Sequence, residues 1–388
     1  MTIATFREEV RNWVEENFTE EIVNAAEGSD AQRQGVRLLA DKGWIAPNWP
    51  VEYGGAGLGF REHIALVKEL RAANVPLPHD NGGQALGMIG PTLLEFGTQE
   101  QKLRHLPGMA RGEVQWCQGY SEPGSGSDLA SLSTKAVRDG DHYLINGQKI
   151  WTSGADGADW IYVLVRTDPD APKHNGISLV LVDMDQPGVT VKPIRLISGA
   201  SPFCETFFDD AIATDLIGEL NQGWTIGKRL LQHERSGISG MGASGAASSP
   251  TTRQRYRLAE LAKEYLGEAS GGRISDSVFR SDVIRHQLNQ RSLQLTLNRT
   301  REENASGNTL GHVTSIFKAV GADQDKTHTA LQMKIMGSRG IGWQGTGFTP
   351  HELGATRTWL GSHASSIAGG TNEVQLNIIA KRVLGLPD

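Results

Sequence analysis

Three short segments of this chain combine residue types that can do chemistry. The first is Tyr120-Ser121-Glu122-Pro123-Gly124-Ser125-Gly126-Ser127-Asp128, a Pro-Gly turn set among hydroxyls and small side chains. Such a loop can donate several hydrogen bonds to a polar heterocycle or a phosphate, and an ordinary surface loop can share its composition. The second, Asn146-Gly147-Gln148-Lys149-Ile150-Trp151-Thr152-Ser153-Gly154, reads as a turn, a strand and then an aromatic face beside two hydroxyls. A flavin asks for that combination, a ring to stack on and donors near its nitrogens; a core tryptophan followed by turn residues is the plainer alternative. The third is Leu231-Gln232-His233-Glu234-Arg235. A carboxylate becomes a useful base when burial raises its pKa. Glu-Arg neighbours are also ordinary on helices, where adjacent residues do not face each other.

The elements that must hold these segments follow from periodicity. Phe6, Val10, Trp13, Val14 and Phe18 recur at helical spacing with acids between them, which predicts a helix packed on the protein's own core. Helical patterns continue over 30–42, 60–72 and 90–111. From about 116 the texture changes to short apolar or alternating runs, among them 142–145, 160–165 and 177–182, separated by Asp139-Gly140-Asp141 and Asn146-Gly147. These are strand and hairpin signals. Val189–Ile194 and Glu205–Phe208 extend them. Helices resume after Trp224, over 253–268, 278–304 and 310–336, and a last one covers Glu373–Val383.

The predicted fold is therefore α+β, with an N-terminal helical domain (1–115), a central β-barrel or sandwich domain (116–220) and a C-terminal four-helix bundle (221–388). Two glycine triplets, Gly240/Gly242/Gly245 and Gly340/Gly342/Gly345, match the dinucleotide-binding spacing. Both follow helical rather than strand segments, so the pyrophosphate geometry of that motif is missing. No βαβ alternation supports a parallel nucleotide-binding sheet.

Bulk properties narrow the partners. A chain of 388 residues has room for more than one core. Its formal charge of −6, with basic residues scattered, gives no electrostatic case for nucleic acid or an anionic membrane. Cys117 and Cys204 suggest neither a disulfide framework nor a zinc site, and no metal is expected. No stretch reaches membrane-span length, and the opening Met-Thr-Ile-Ala-Thr-Phe-Arg-Glu-Glu lacks a secretory pattern, which makes cytoplasmic residence the expectation.

Taken together, Tyr120–Asp128, Asn146–Ser153, Phe207-Phe208-Asp209-Asp210, Gly218–Trp224 and Ala368–Pro387 resemble the acyl-CoA dehydrogenase family, in its order and spacing across nearly the whole chain. The resemblance implies an FAD-dependent enzyme that converts an acyl-CoA thioester to a 2,3-enoyl-CoA. Tyr120 and Ser121 would contact the flavin pyrimidine, and Ser127 would lie close to FAD or the thioester chain. Trp151 would lie beside the isoalloxazine, Ser153 near N5, and Thr371 at the pyrophosphate. Many members carry their base just before the final Gly-Thr, where this chain has Gly369. Others, of the isovaleryl-CoA and long-chain type, place it directly before an Arg on the helix after the β domain. Glu234 occupies that place, with Arg235 among the implied substrate contacts and the Gly369 amide left to hold the thioester carbonyl. Arg273 falls where the family has an Arg reaching FAD across a subunit interface, but Ile274-Ser275-Asp276 replace the usual Phe-Gly, and Leu376 replaces an Arg common in the last helix. The implied partners are an acyl-CoA, an electron-transfer flavoprotein as acceptor, and further subunits in a homotetramer or heterotetramer. Two other readings stand beside this one: a subunit of a hetero-oligomeric steroid-type acyl-CoA dehydrogenase with an incomplete FAD site, and a flavin monooxygenase or oxidase on the same fold.

Overall fold

A computed structural model describes residues 2–26, 28–78, 83–238, 257–305 and 313–387, with backbone alone at 234–238, 301, 304 and 305. The chain forms two compact units. One comprises 1–194 with 202–247, the other 195–201 with 248–388.

In the first unit, α1 (Ile3–Asn17) begins at a Thr2 cap and buries Phe6, Val10 and Val14. These join Leu66 and Leu70 of α4 (Phe60–Ala72) and Leu39 of α3 (Asp30–Asp41) in one core, with α2 (Glu20–Val23) adding Ile22. The amphipathic stripe is thus spent on internal packing. Over 90–111 the structure differs from the single helix that periodicity predicts. It forms α5 (Gly90–Phe96) and α6 (Gln99–Ala110), parted at Gly97-Thr98. The cause is local: Thr98 and Gln101 form a reciprocal capping box, which starts a new helix there.

The strands are β1 (Trp116–Gly119), β2 (Lys135–Asp139), β3 (His142–Ser153), β4 (Trp160–Arg166), β5 (Ile177–Asp183), β6 (Val189–Ile194) and β7 (Phe203–Ile217). The pairings β4–β2–β3–β7–β5 close back onto β4, giving a barrel, with β1 parallel to β4 and β6 laid on the first half of β7. The apolar runs of β4 and β5 are buried on both faces. Val163, Val165, Val180 and Val182 enter the barrel core with Ile145, Ala211 and Ala213. Tyr162, Leu164, Leu179 and Leu181 enter a second core shared with Ile89, Leu93 and Leu106 of the helical layer. Continuous rather than alternating hydrophobicity is what a strand between two layers requires.

α7 (Gly223–Ile238) belongs to the same unit. Its Ile226 and Leu230 are buried in that second core, and its first residue is pressed against β5: a Cβ on Gly223 would lie 2.3 Å from the Ser178 carbonyl carbon.

The second unit holds α8 (Leu258–Leu266), a short hairpin of β8 (Glu268–Ala269) and β9 (Arg273–Ile274), α9 (Ser277–Ala305), α10 (Val313–Met336), α11 (Pro350–Ser362) and α12 (Asn372–Ile378). The expected helix over Glu373–Val383 changes at Ile379 into a wider π-helical turn. The core joins Leu258, Leu261, Val283, Leu331, Ile335 and Ala355. Of the two glycine triplets, the later one has a packing role: Gly342 lies under the Phe348 ring, 2.5 Å from a would-be Cβ; 240–245 lie outside the described residues. Among the described residues no helix is long and apolar enough to cross a membrane.

Glu352 ties three parts of this unit together. Its buried carboxylate accepts from Arg339 Nε and Nη2 at 2.6 and 2.8 Å, from the Tyr265 hydroxyl at 3.0 Å and from the Thr349 amide at 2.7 Å. Hydrogen bonding from Arg339 outweighs burial and holds its pKa down at about 2. A carboxyl depressed in the folded state stabilises fully above its unfolded pKa and loses that contribution as pH falls through the folded one. Wild type should therefore melt well above Glu352→Gln at pH 7, and the gap should shrink between about pH 4.5 and pH 2. Thermal midpoints of both proteins across that range check this; a gap constant with pH would refute it.

Candidate active site

The loop after β1 and the end of β3 are stitched side by side. The Ile150 amide donates to the Ser121 carbonyl at 2.9 Å. Lys149 Nζ donates to the Tyr120 carbonyl at 3.1 Å and to Glu122 Oε1 at 2.8 Å. The same carboxylate accepts from the Ser133 amide and hydroxyl at 2.7 and 2.8 Å and from the Thr134 amide at 2.8 Å. Lys149 has no exposure and Glu122 only 7%. Burial alone would raise the Glu122 pKa; the Lys149 ammonium and the surrounding donors outweigh it and hold the carboxyl ionised. Lys149 is pushed below the usual lysine range by burial, an effect Glu122 only partly offsets. Glu122 and Ser125 also exchange amide-to-carbonyl bonds of 3.0 Å, which closes the Pro123-Gly124 turn. At Gly124 and Gly126 an added Cβ would meet nothing within 4 Å, so the turn's crest faces open space.

Trp151 follows directly. It adopts φ +62°, a left-handed conformation that is strained for a bulky residue. The cause is a break in the β3–β7 register between Lys149 and Thr152, a bulge that swings the side chain off the ladder. The indole is left 53% exposed, edge-on to Phe203 at 6.1 Å. Thr152 beside it is fully buried and accepts from the Thr206 hydroxyl at 3.2 Å. Ser153 is half-buried where the ladder resumes opposite Phe203. Ser127 is exposed at the far end of the loop, next to Asp128, which pairs with Lys173.

Tyr120 is buried with its ring edge-on to Tyr162. A Cβ on Gly227 would lie 3.5 Å from its hydroxyl, an ordinary contact, and 3.2 Å from Leu164, which places this turn of α7 beside both. Positions 227, 230 and 234 form one stripe of that helix. The backbone at 234 therefore lies on the Tyr120-facing side, roughly 10 Å along the axis from Gly227. The side chains of Glu234 and Arg235 lie outside the described residues. On the neighbouring face, Arg229 Nε donates to Glu95 at 2.8 Å, and burial with Arg229 nearby lowers the His233 pKa.

The first unit thus brings Tyr120, Ser121, Trp151 and Ser153 together on adjoining backbone. Arg273, Gly369 and Thr371 belong to the second unit. Arg273 is exposed on β9. Thr371 caps α12, its hydroxyl accepting from the Val374 amide at 3.2 Å. Gly369 and Gly370 have φ of +66° and +92°, and the Gly369 carbonyl accepts from Gln375 at 3.0 Å. Cys117 and Cys204 are buried free thiols, and no cluster suited to a metal occurs among the described residues.

Sequence reasoning missed Glu122 and Lys149. A signal existed: Lys149 shares the parity of the buried Ile145 along β3, so its ammonium had to point inward and find a carboxylate.

Comparison with known proteins now identifies the chain's kin. The N-terminal, middle and C-terminal domain models of acyl-CoA dehydrogenases match residues 2–113, 117–211 and 221–384. Acyl-CoA dehydrogenase IpdE1 of Mycolicibacterium smegmatis is 34% identical over 406 aligned positions, covering 99% of this chain and 98% of that protein. A solved structure described as the Tcur3481-Tcur3483 steroid ACAD superposes with a TM-score of 0.77 at 30% identity, covering 99% of this chain and 97% of that one. The ChsE4-ChsE5 complex from Mycobacterium tuberculosis gives 0.74 at 29%, covering 100% and 98%.

The bulge makes a prediction of its own. Replacing Trp151 by Ala keeps the left-handed strain, whereas replacing it by Gly relieves it, so the Gly variant should be the more stable by about 1 kcal/mol. Urea unfolding of the two variants measures the difference. Equal midpoints would mean that the backbone at 151 is unstrained.

Proposed function

This chain belongs to the acyl-CoA dehydrogenase family, and from that premise we propose that it oxidises an acyl-CoA to the 2,3-enoyl-CoA with FAD, Glu234 removing the α-proton. The observation that carries the reading is the paired surface of Tyr120-Ser121 and Trp151-Ser153, where a projecting indole adjoins backbone and hydroxyl donors. That donor set fits a flavin, a flat ring system with polar edges. Tyr120, Ser121, Trp151 and Ser153 would hold the ring end. Thr371 at a helix start suits the pyrophosphate, and Arg273 would reach the adenine end. FAD, when bound, supplies the acceptor for the β-hydride.

The remaining chemistry falls to the chain. A carboxylate must take the α-proton, and at 369, just before the final Gly-Thr, there is none. The backbone at 234 lies two turns beyond Gly227 on the same side of α7, in the unit that also holds Tyr120 and Trp151, which supports Glu234 as the base. Enclosed by substrate, Glu234 would rise in pKa and in basicity. The Gly369 amide would polarise the thioester carbonyl and so acidify the α-carbon, with Ser127 and Arg235 contacting the acyl-CoA. The domain division 1–115, 116–220 and 221–388, cytoplasmic residence, and an electron-transfer flavoprotein as acceptor are parts of the same proposal.

The acyl group we favour is bulky and steroid-derived, on the likeness to the steroid ACAD. That likeness and the ChsE4-ChsE5 complex also support a second reading, in which this chain is one subunit of a heterotetramer. The Ile274-Ser275-Asp276 departure beside Arg273 favours it over a homotetramer. FAD per subunit in the chain purified alone separates the two.

Anaerobic bleaching of the flavin by a panel of linear, branched and steroid acyl-CoAs tests the activity. Glu234→Gln should retain FAD and bind substrate while the bleaching rate falls by about 10²–10⁴-fold, the usual contribution of a general base. A variant that reduces flavin at the wild-type rate would remove Glu234 from the mechanism.

A further inference from the structure

The Glu122–Lys149 pair makes no obvious contribution to stability that apolar side chains could not. Taking two charges out of water costs several kcal/mol each, by order of magnitude, and well-packed hydrophobic replacements are often at least as stable. Its opposing effects show in the groups themselves: the fold favours the charged form of Glu122 and disfavours that of Lys149. What the pair does supply is geometry. Three successive residues of the loop, Tyr120, Ser121 and Glu122, are each bonded to Lys149 or Ile150. The next residue is the left-handed Trp151. Behind the carboxylate, the Ser133 and Thr134 amides anchor it to the start of β2, and the Arg166 amide of β4 donates to the Thr134 carbonyl at 2.7 Å. The loop is thereby fixed to the barrel from two sides.

We propose that Glu122 and Lys149 are positioning residues for FAD, holding Tyr120-Ser121 and Ile150-Trp151 at one spacing before the cofactor arrives. The inference rests on the flavin reading above. Neither side chain is exposed to touch the ring; they act through Tyr120, Ser121 and Trp151. A surface formed in advance spares the bound flavin the entropic cost of ordering the loop against the end of β3, and that difference appears as affinity.

The test is an FAD titration of apoprotein, followed by tryptophan and flavin fluorescence well below the thermal midpoint. Glu122 accepts from four donors, so Glu122→Gln turns an amide NH₂ toward at least one of them. The dissociation constant should rise by at least about tenfold, and the absorbance of the bound flavin should move toward that of free FAD. Ser133→Ala, which deletes a single hydroxyl donor, should raise it by about threefold. Val182→Ala, in the barrel core away from both loops, should lower the thermal midpoint and leave FAD affinity unchanged. The inference fails if Glu122→Gln folds and binds FAD as wild type does, or if Val182→Ala loses affinity in step with its lost stability. Should Glu122→Gln not fold, Ser133→Ala decides, and an unchanged dissociation constant there overturns the idea. A wild type that takes up no FAD would overturn the flavin reading and this inference together, whereas wild-type uptake with unaffected variants removes the inference alone.

Discussion

A lysine ammonium with no access to water lies 2.8 Å from a carboxylate that four donors surround. The loop after β1, the end of β3 and the approach to β2 meet at that contact. Lys149 sits where β3 passes the loop after β1, and Glu122 sits where that loop turns back toward β2. Removing either partner leaves a buried charge, which is far more costly than the intact pair is stabilising. The pair therefore forbids alternatives more than it adds strength. The observed approach of loop to strand satisfies the Tyr120 carbonyl, the Ser133 and Thr134 amides and the ammonium at once. The bulge at Trp151 is tolerable in this setting because the residues before and after it are held: Lys149 by its ion pair, Thr152 by burial and the Thr206 hydroxyl.

The barrel supplies the rigid background. Because β4 and β5 give valines to one core and Tyr162 and leucines to the other, a one-residue slip would exchange side chains of different volume and spoil the packing of both. β4 carries β1 on its edge and α7 lies over β5, so the loop leaving β1 and the helix after β7 are referred to the same two strands. Gly223 and Gly227 allow the close approach. At each, the missing Cβ makes room for a neighbour, the Ser178 backbone and the Leu164 side chain respectively.

The helical, β, helical order was legible because it follows from period and turn chemistry, local signals that tertiary packing here reinforces. The stripe Phe6–Phe18 and the both-face burial of β4 and β5 are instances. Where sequence reading slipped, a short polar motif outvoted a long apolar pattern: at Thr98 the capping box split a continuous helical periodicity. The flavin-type segments could be recognised as motifs, yet the residues that set their spacing were hidden. Glu122 and Lys149 lie 27 positions apart, and strand parity told only that Lys149 points inward, not which carboxylate it meets. The left-handed φ of Trp151 was equally invisible, since only glycine and asparagine advertise that conformation in sequence.

The position of the proposed base can be argued from backbone alone. Residue 369, the alternative place for the base that the family resemblance implies, has φ +66° in this chain. Glutamate is strained in that conformation, while glycine is not. Replacing Gly369 by Glu would therefore add left-handed strain as well as a carboxylate. At 234, by contrast, the backbone is regular helix, which accepts glutamate readily. A base on α7 also takes its distance from Tyr120 through Gly227, Leu230 and the strands beneath, all within one compact unit. Proton abstraction requires the base to be held within about 0.5 Å of its productive position against the substrate. A helix packed on the barrel meets that requirement more directly than a loop whose glycines both have positive φ.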